Sequence, residues 1–505
     1  MLKSEALVLL VNSMTKSEKK AFRVTSKKVI SIPDYIMLFD IIDNNRNESV
    51  AIIKSMFVTK RRGASFDATS KYLYKLLLDK LLLLREDQDS YYWLFNKIMK
   101  ARILFEKSLF EECFDLLKLV IKDSKKYENY YALMLASKLE LDYILNLNFP
   151  QVTEKQLLNK HLKINEVLMY FRKANELSSL YELLKYRVTF KGHVRSTKQK
   201  VELNDLVVSE MSIIATSNLE NFEIKKLHQL FQANYLISVG DYKSALRSYN
   251  ELNNLFEVNK HLWSNPPIYY LLTLEGVLES LRKIRNYEGM KLFISRLKEL
   301  KSNSLNFNAN VHCLIFLYEL FPSLDKGDFS TSLQVMQSYN ESLYGKRDLL
   351  SLSLQAELSL YSALIMFGNK NFKSAHKFIN MIILKGKNYI NLPLYRTIRL
   401  VNLMILYELK SFDLIAYETR SIKREIKNAD KSYRIEKYML KFLNRTEIPL
   451  IQKKRDRLWQ TVLKDIDDFK DDIFEQQVLK IFDFTAWIES KIRKIPLGDV
   501  INSRF

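Results

Sequence analysis

Residues 239–249 read VGDYKSALRSY and residues 369–378 read NKNFKSAHKF. In each, an aromatic residue opens an amphipathic segment and a small residue follows three positions later: Ala245 after Tyr242, Ala375 after Phe372. The pattern recurs as SLFEECFDLL around Phe110, IRNYEGMKLF around Tyr287, KGDFSTSLQV around Phe329 and LKSFDLIAY around Phe412. From Tyr242 onward the aromatics stand 45, 42, 43 and 40 residues apart. A fixed period of roughly 20–50 residues marks a stacked-repeat architecture. The interval of 132 residues from Phe110 to Tyr242 is close to three periods and leaves room for two degenerate repeats.

A second register accompanies the first. Ile103-Leu104-Phe105, Tyr235-Leu236-Ile237, Ile365-Met366-Phe367 and Ile405-Leu406-Tyr407 each precede one of these aromatics by five to seven positions. Each trio ends an apolar stretch with helical periodicity. The unit therefore reads as helix A, a short turn, then helix B opening on the aromatic. Cys113, Ala245, Ser332 and Ala375 lie one turn into helix B, where a small side chain lets the two backbones approach closely. Met290 and Ile415 depart from that rule. Neither helix buries its apolar stripe alone, so the units must stack. The expected fold is an all-α superhelical solenoid of helix pairs with a period of roughly 40–45 residues.

Composition agrees. Among 505 residues there are ten glycines and eight prolines, little turn-forming material for hairpins or short strands. Apolar content of 47% is ample for a large core. Cys113 and Cys313 lie far apart in apolar helical contexts and read as buried free thiols rather than a disulfide or zinc framework. The opening MLKSEALVLLVNSMTKSEKK has an apolar run too short for a signal peptide, and no stretch is long and apolar enough for a membrane span. These features lead us to expect a soluble, cytoplasmic protein.

The Tyr-x-x-Ala step at the start of helix B resembles the tetratricopeptide repeat, although the period is longer than that family's. RTIRLVNLMILYELKSFDLIAYETRSIKREIK (residues 396–427) and FDFTAWIESKI (482–492) look similar to a family of large bacterial tetratricopeptide-like proteins of unassigned function. The resemblance implies a helical-repeat fold in a cytosolic setting and brings no catalytic residues with it.

Three regions are expected: an N-terminal helical module at 1–88, tetratricopeptide-like repeats at 89–448 and a C-terminal helical cap at 449–505. The box Thr15-x-x-Glu18 is expected to cap a short helix. TSKYLYKLLLDKLLLLRE (69–86) reads as a helix apolar nearly all round and hence buried. Trp459 and Trp487 are expected to seal the last repeat.

No phosphate-binding glycine loop, H-E-x-x-H, C-x-x-C or G-x-S-x-G occurs. The six histidines share no metal-ligand spacing. His312 and Cys313 are adjacent on a helix, so they point about 100° apart and make no dyad by themselves. Asp467, Asp468, Asp471 and Asp472 read as a solvated acidic turn. We therefore expect no enzyme, cofactor, metal or small-molecule substrate.

Net charge is +21, and the successive hundreds carry +7, +6, −1 and +5, with +4 on residues 401–505. A basic field of this size favours acidic partners. KYRVTFKGHVRSTKQK (185–200) holds Lys185, Arg187, Lys191, Arg195, Lys198 and Lys200, interleaved with Tyr186 and Phe190 and free of acids. Cations for phosphates and rings for stacking are what single-stranded nucleic acid requires. A mobile basic loop is the plainer reading of the same stretch, and KKRDRLW (453–459) is a weaker basic cluster. The expected function is a non-enzymatic scaffold that binds a protein or peptide partner on a helical-repeat surface. The alternative is an RNA- or ribosome-associated protein using the basic surface. A DNA-binding regulator using residues 1–88, with Lys60-Arg61-Arg62, ranks below both.

Overall fold

The computed structural model describes residues 3–25, 33–46, 48–86, 89–191, 194, 197–216, 221–339, 343–428, 434–443, 448–470, 472–479 and 481–505. The side chains at 25, 191, 197–198, 425–428, 467–470, 473–474 and 477 lie outside the description. Among the described residues the chain is helical, with no strand. Packing divides it into two compact units, Met1–Phe171 and Arg172–Phe505.

The first unit begins with α1 (Lys3–Ser13), α2 (Lys16–Thr25), α3 (Asp34–Asn44), α4 (Val50–Lys60) and α5 (Phe66–Arg85). They enclose a core that includes Leu7, Val11, Phe22, Phe39, Ile42, Phe57 and Leu77. The expected capping box is present. Thr15 N–H donates to Glu18 Oε2 at 2.7 Å and Glu18 N–H donates to Thr15 Oγ1 at 3.2 Å. The α5 expectation needs correction, because the helix buries Leu73 and Leu77 but leaves Leu78, Leu82 and Leu83 exposed. Its partners α1, α2, α3 and α4 leave part of its surface uncovered, and an apolar circumference does not by itself recruit neighbours to every face. Beyond it, α6 (Ser90–Glu106), α7 (Phe110–Lys126) and α8 (Tyr130–Asn146) form a separate core around Leu94, Ile98, Cys113, Leu117 and Ala132.

The expected degenerate repeats before Tyr242 are replaced by one long helix, α9 (Glu154–Lys191), followed by short α10 (Thr197–Val201) and α11 (Asn204–Ala215). Nothing between Glu154 and Lys191 is Gly or Pro, so the backbone meets no breaker until Gly192.

From there the second unit runs as helix pairs. They are α12 (Phe222–Ser238) with α13 (Tyr242–Val258), α14 (Ile268–Lys283) with α15 (Tyr287–Glu299), and α16 (Leu305–Leu324) with α17 (Phe329–Ser338). Next come α18 (Leu352–Gly368) with α19 (Phe372–Ile383), a short α20 (Gly386–Tyr389), and α21 (Pro393–Glu408) with α22 (Phe412–Asn428). Helices α23 (Arg434–Leu443), α24 (Gln452–Lys470), α25 (Ile473–Leu479), α26 (Phe484–Arg493) and α27 (Leu497–Ser503) complete the chain. Consecutive helices pack on one another, as an all-α repeat solenoid requires. Trp459 and Trp487 join the same hydrophobic core as the pairs, with the Trp487 ring edge-on to Tyr407 and Phe442.

All six motif aromatics (Phe110, Tyr242, Tyr287, Phe329, Phe372 and Phe412) are the first residue of a helix. The residue three positions on is buried each time, including Met290 and Ile415. Two positions before each aromatic the backbone is left-handed: Ser108 (φ 61°), Gly240 (83°), Arg285 (60°), Gly327 (78°), Lys370 (60°) and Lys410 (58°). The next N–H then donates back across the turn, for example Asp241 to the Leu236 carbonyl and Asn371 to the Met366 carbonyl. This closure satisfies the last carbonyls of helix A. Where that residue is Asp or Asn, its side chain caps helix B by accepting from the N–H three positions on. Asp241 accepts from Ser244 at 3.1 Å, Asn286 from Gly289 at 3.0 Å, Asp328 from Thr331 at 3.0 Å and Asn371 from Ser374 at 3.2 Å. One short segment thus ends helix A and starts helix B.

Candidate functional site

The A helices of the second unit are covered on nearly every side. On α14 everything from Tyr270 to Arg282 is buried except Leu272, Glu275 and Glu279, which lie on one stripe. Their close packing has a local cause at Gly276. A Cβ there would sit 2.2 Å from the Tyr249 ring, so only glycine lets α13 press its aromatic onto α14. On α18 the corresponding uncovered stripe carries Ser353 and Glu357.

These stripes open into one cavity of about 200 Å³. Glu275, Glu279, Arg282 and Lys283 of α14 line it, with Tyr318 and Phe321 of α16 and Ser353, Glu357 and Tyr361 of α18. Arg396 of α21 and Glu436 of α23 complete its charged lining.

Arg282 and Arg396 each face an acid of the same unit. The Arg282 guanidinium donates to both oxygens of Asp325 at 2.9 and 2.8 Å and to the Tyr361 hydroxyl at 2.9 Å. It also lies over the Phe321 ring, 3.4 Å from its centroid. Burial works against its charge, but Asp325 and Tyr361 outweigh that and hold it firmly protonated. Arg396 stands 3.8 Å from Glu436.

The acids are less well served. Among the described residues the Glu275 and Glu279 carboxylates accept no hydrogen bond and join no ion pair, and Glu357 accepts only a long one from Ser353 at 3.4 Å. They keep some contact with water through the cavity while protein encloses them elsewhere. Burial pushes the Glu275 carboxyl up to about 7, reinforced by Glu279 and opposed by Lys185. Burial pushes Glu357 up to about 8, reinforced by Glu275 and Glu279 and opposed by Arg282 and Lys283. Besides these charged groups, phenols and a thiol stand nearby. Tyr181 on α9, Tyr249 on α13, and Tyr318 and Cys313 on α16 are all raised by burial and stay neutral across this range. Among the described residues, no group of three His, Cys, Asp or Glu side chains is placed to hold a metal ion.

The sequence-expected basic site is arranged differently. Lys185 is exposed on α9 and donates to Asn234 Oδ1 at 2.9 Å. Arg187 makes a two-point ion pair with Asp205 at 2.8 Å and donates to the Glu202 carbonyl. Lys200 is exposed. Arg195, and the side chains of Lys191 and Lys198, lie outside the described residues. Tyr186 and Phe190 form an exposed ring pair, 60% and 51% accessible with centroids 4.4 Å apart. Lys453 and Lys454 of the weaker cluster are exposed on α24.

Reading along the chain missed the cavity carboxylates, which come from helices some 80 residues apart. One local signal was present: TLEGVLESL places Glu275 and Glu279 four apart inside a segment otherwise free of charge and mostly apolar. Cys113 and Cys313 are buried free thiols, and burial pushes the Cys313 thiol well up, away from reactivity. Of the acidic turn, only the Asp472 side chain lies among the described residues. No helix among the described residues is long and apolar enough to cross a membrane. No protein family, curated protein or solved structure matches the chain.

Proposed function

We propose that the chain is a non-enzymatic interaction scaffold whose Arg172–Phe505 unit holds a segment of a protein partner. The observation that supports this is the uncovered stripe shared by helices α14 and α18, which opens into a cavity instead of being packed by another helix. Stacked repeats bind through such surfaces because each pair contributes the same face. The test is affinity capture with the full chain and with Ser353→Trp, a bulky side chain at an exposed position on the cavity lining. Loss of a specific set of partners from the variant, held through high salt by the native chain, is the expected result. Identical partner sets would remove the cavity from the binding surface.

The exposed Tyr186–Phe190 pair beside Lys185 and Lys200 favours a second reading, association with RNA or the ribosome. Nucleic acid that co-purifies and is released by salt would support it.

A further inference from the structure

We propose that the α14–α18 cavity seats a cationic side chain, the ammonium of a lysine or the guanidinium of an arginine, presented by an extended segment of the partner. This deepens the scaffold reading above and rests on it.

Charge is the first ground. With Arg282 committed to Asp325 and Arg396 facing Glu436, the cavity lining sets Glu275, Glu279 and Glu357 against Lys283, with Lys185 beyond the lining but near Glu275. A buried carboxylate without partners is costly. An incoming cation is the group that relieves it, whereas a phosphate or acidic peptide would meet carboxylates. Size is the second ground. About 200 Å³ lies below the roughly 300–1,000 Å³ of sites for drug-sized ligands. It admits one side chain, not a folded element. The third ground is the wall itself. Arg282 shows how this chain accommodates a guanidinium, over the Phe321 ring with a carboxylate at its edge. Tyr318 and Tyr361 offer further ring surface beside these acids.

The experiment measures binding to the full chain of N-acetyl-lysine-N-methylamide, its arginine counterpart and the neutral norleucine counterpart, with spermidine as a free polyamine. At pH 8.5 the lysine or arginine amide is expected to bind at least about tenfold tighter than norleucine amide, as a desolvated charge pair would. Binding is expected to weaken about tenfold at pH 6, where protons occupy the site. The variant Glu275→Gln/Glu357→Gln, nearly identical in shape, is expected to lose both preferences while keeping the native circular dichroism and a melting temperature no lower than the native one. Equal binding of the neutral amide, or preferences unchanged in the double variant, would overturn the proposal. Spermidine binding about a hundredfold tighter than either amide would assign the site to a free polyamine and overturn the peptide source. A partner whose capture needs an open Ser353 position but tolerates Lys→Gln and Arg→Gln throughout its segment would defeat the cation inference alone. Amides that bind, alongside partner sets identical with Ser353→Trp, would defeat the scaffold reading alone.

Discussion

Two charged regions of the second unit invite comparison. The basic stretch 185–200 is contiguous in sequence, and its described cations are exposed or tied to neighbours such as Asp205 and Asn234. The acidic cavity is assembled from α14 and α18, and its carboxylates face one another with little hydrogen bonding. Water screens the first kind of cluster, so each charge there matters little to stability. Burial amplifies the second, where protein has replaced water and like charges cannot be dispersed. Charge density along a sequence is thus a poor guide to where charge has consequences.

The largest expected effect comes from the cavity wall. Arg282→Ala leaves Asp325 without its ion-pair partner, with only the Tyr287 hydroxyl donating to it, and empties the face of Phe321, and should destabilise the second unit by about 3–5 kcal/mol. Lys200→Ala, in the basic stretch, should stay within about 0.5 kcal/mol. Urea unfolding of the two variants checks the contrast, and equal losses would abolish it.

Gly276→Ala comes next. The new Cβ would overlap the Tyr249 ring, and overpacking of this kind costs about 1–3 kcal/mol. Tyr249→Ala/Gly276→Ala should recover nothing of the lost ring burial but should show strong non-additivity, because the clash is gone. Additive losses would contradict the contact.

A third test separates the regions by pH. Glu275 and Glu357 keep protons in the folded unit at pH values where the unfolded chain has released them. Their contribution is therefore fully present below the ordinary carboxylate value of 4.5 and is lost as pH rises through about 7 to 8. Melting temperature should fall over that window in the native chain and fall less in Glu357→Gln. A parallel slope in both would place Glu357 in ordinary solvent.

The smallest effect on folding is expected where the RNA reading lies. Reversing Lys191, Arg195, Lys198 and Lys200 to Glu should leave the melt nearly unchanged. If the stretch binds RNA, up to six cations imply a log–log salt slope of at most about −4, at about −0.7 per contact, and the reversal should flatten it. Weaker binding with the slope intact would point to another site, and absence of RNA binding at about 50 mM salt would reduce the stretch to a basic loop.

The repeat was legible because its grammar is local. An aromatic at the first position of helix B and a buried residue one turn on recur at readable spacing, and both survive even where Met290 or Ile415 replaces a small side chain. The turn was half hidden. Glycine takes the left-handed position at 240 and 327, but Ser108, Arg285, Lys370 and Lys410 take it elsewhere, so a search for glycine finds two turns in six. The Asp or Asn that follows at 241, 286, 328 and 371 is the steadier mark, since it serves helix B directly. The long α9 defeated the period because nothing between Glu154 and Lys191 interrupts it. The cavity was the least legible feature. Glu275 and Glu357 become neighbours only when α14 and α18 are placed around α16, and no sequence window contains both.

The most direct test of the account is a carbon-detected titration of the glutamate carboxyls in the full chain, assigned by the resonances missing from Glu275→Gln and Glu357→Gln. Because the two groups interact, the titration reports the pair. Steps near pH 7 and 8 are expected, shifting downward when the lysine amide is bound. Both carboxyls already ionised at about pH 5.5, with no response to the amide, would contradict it.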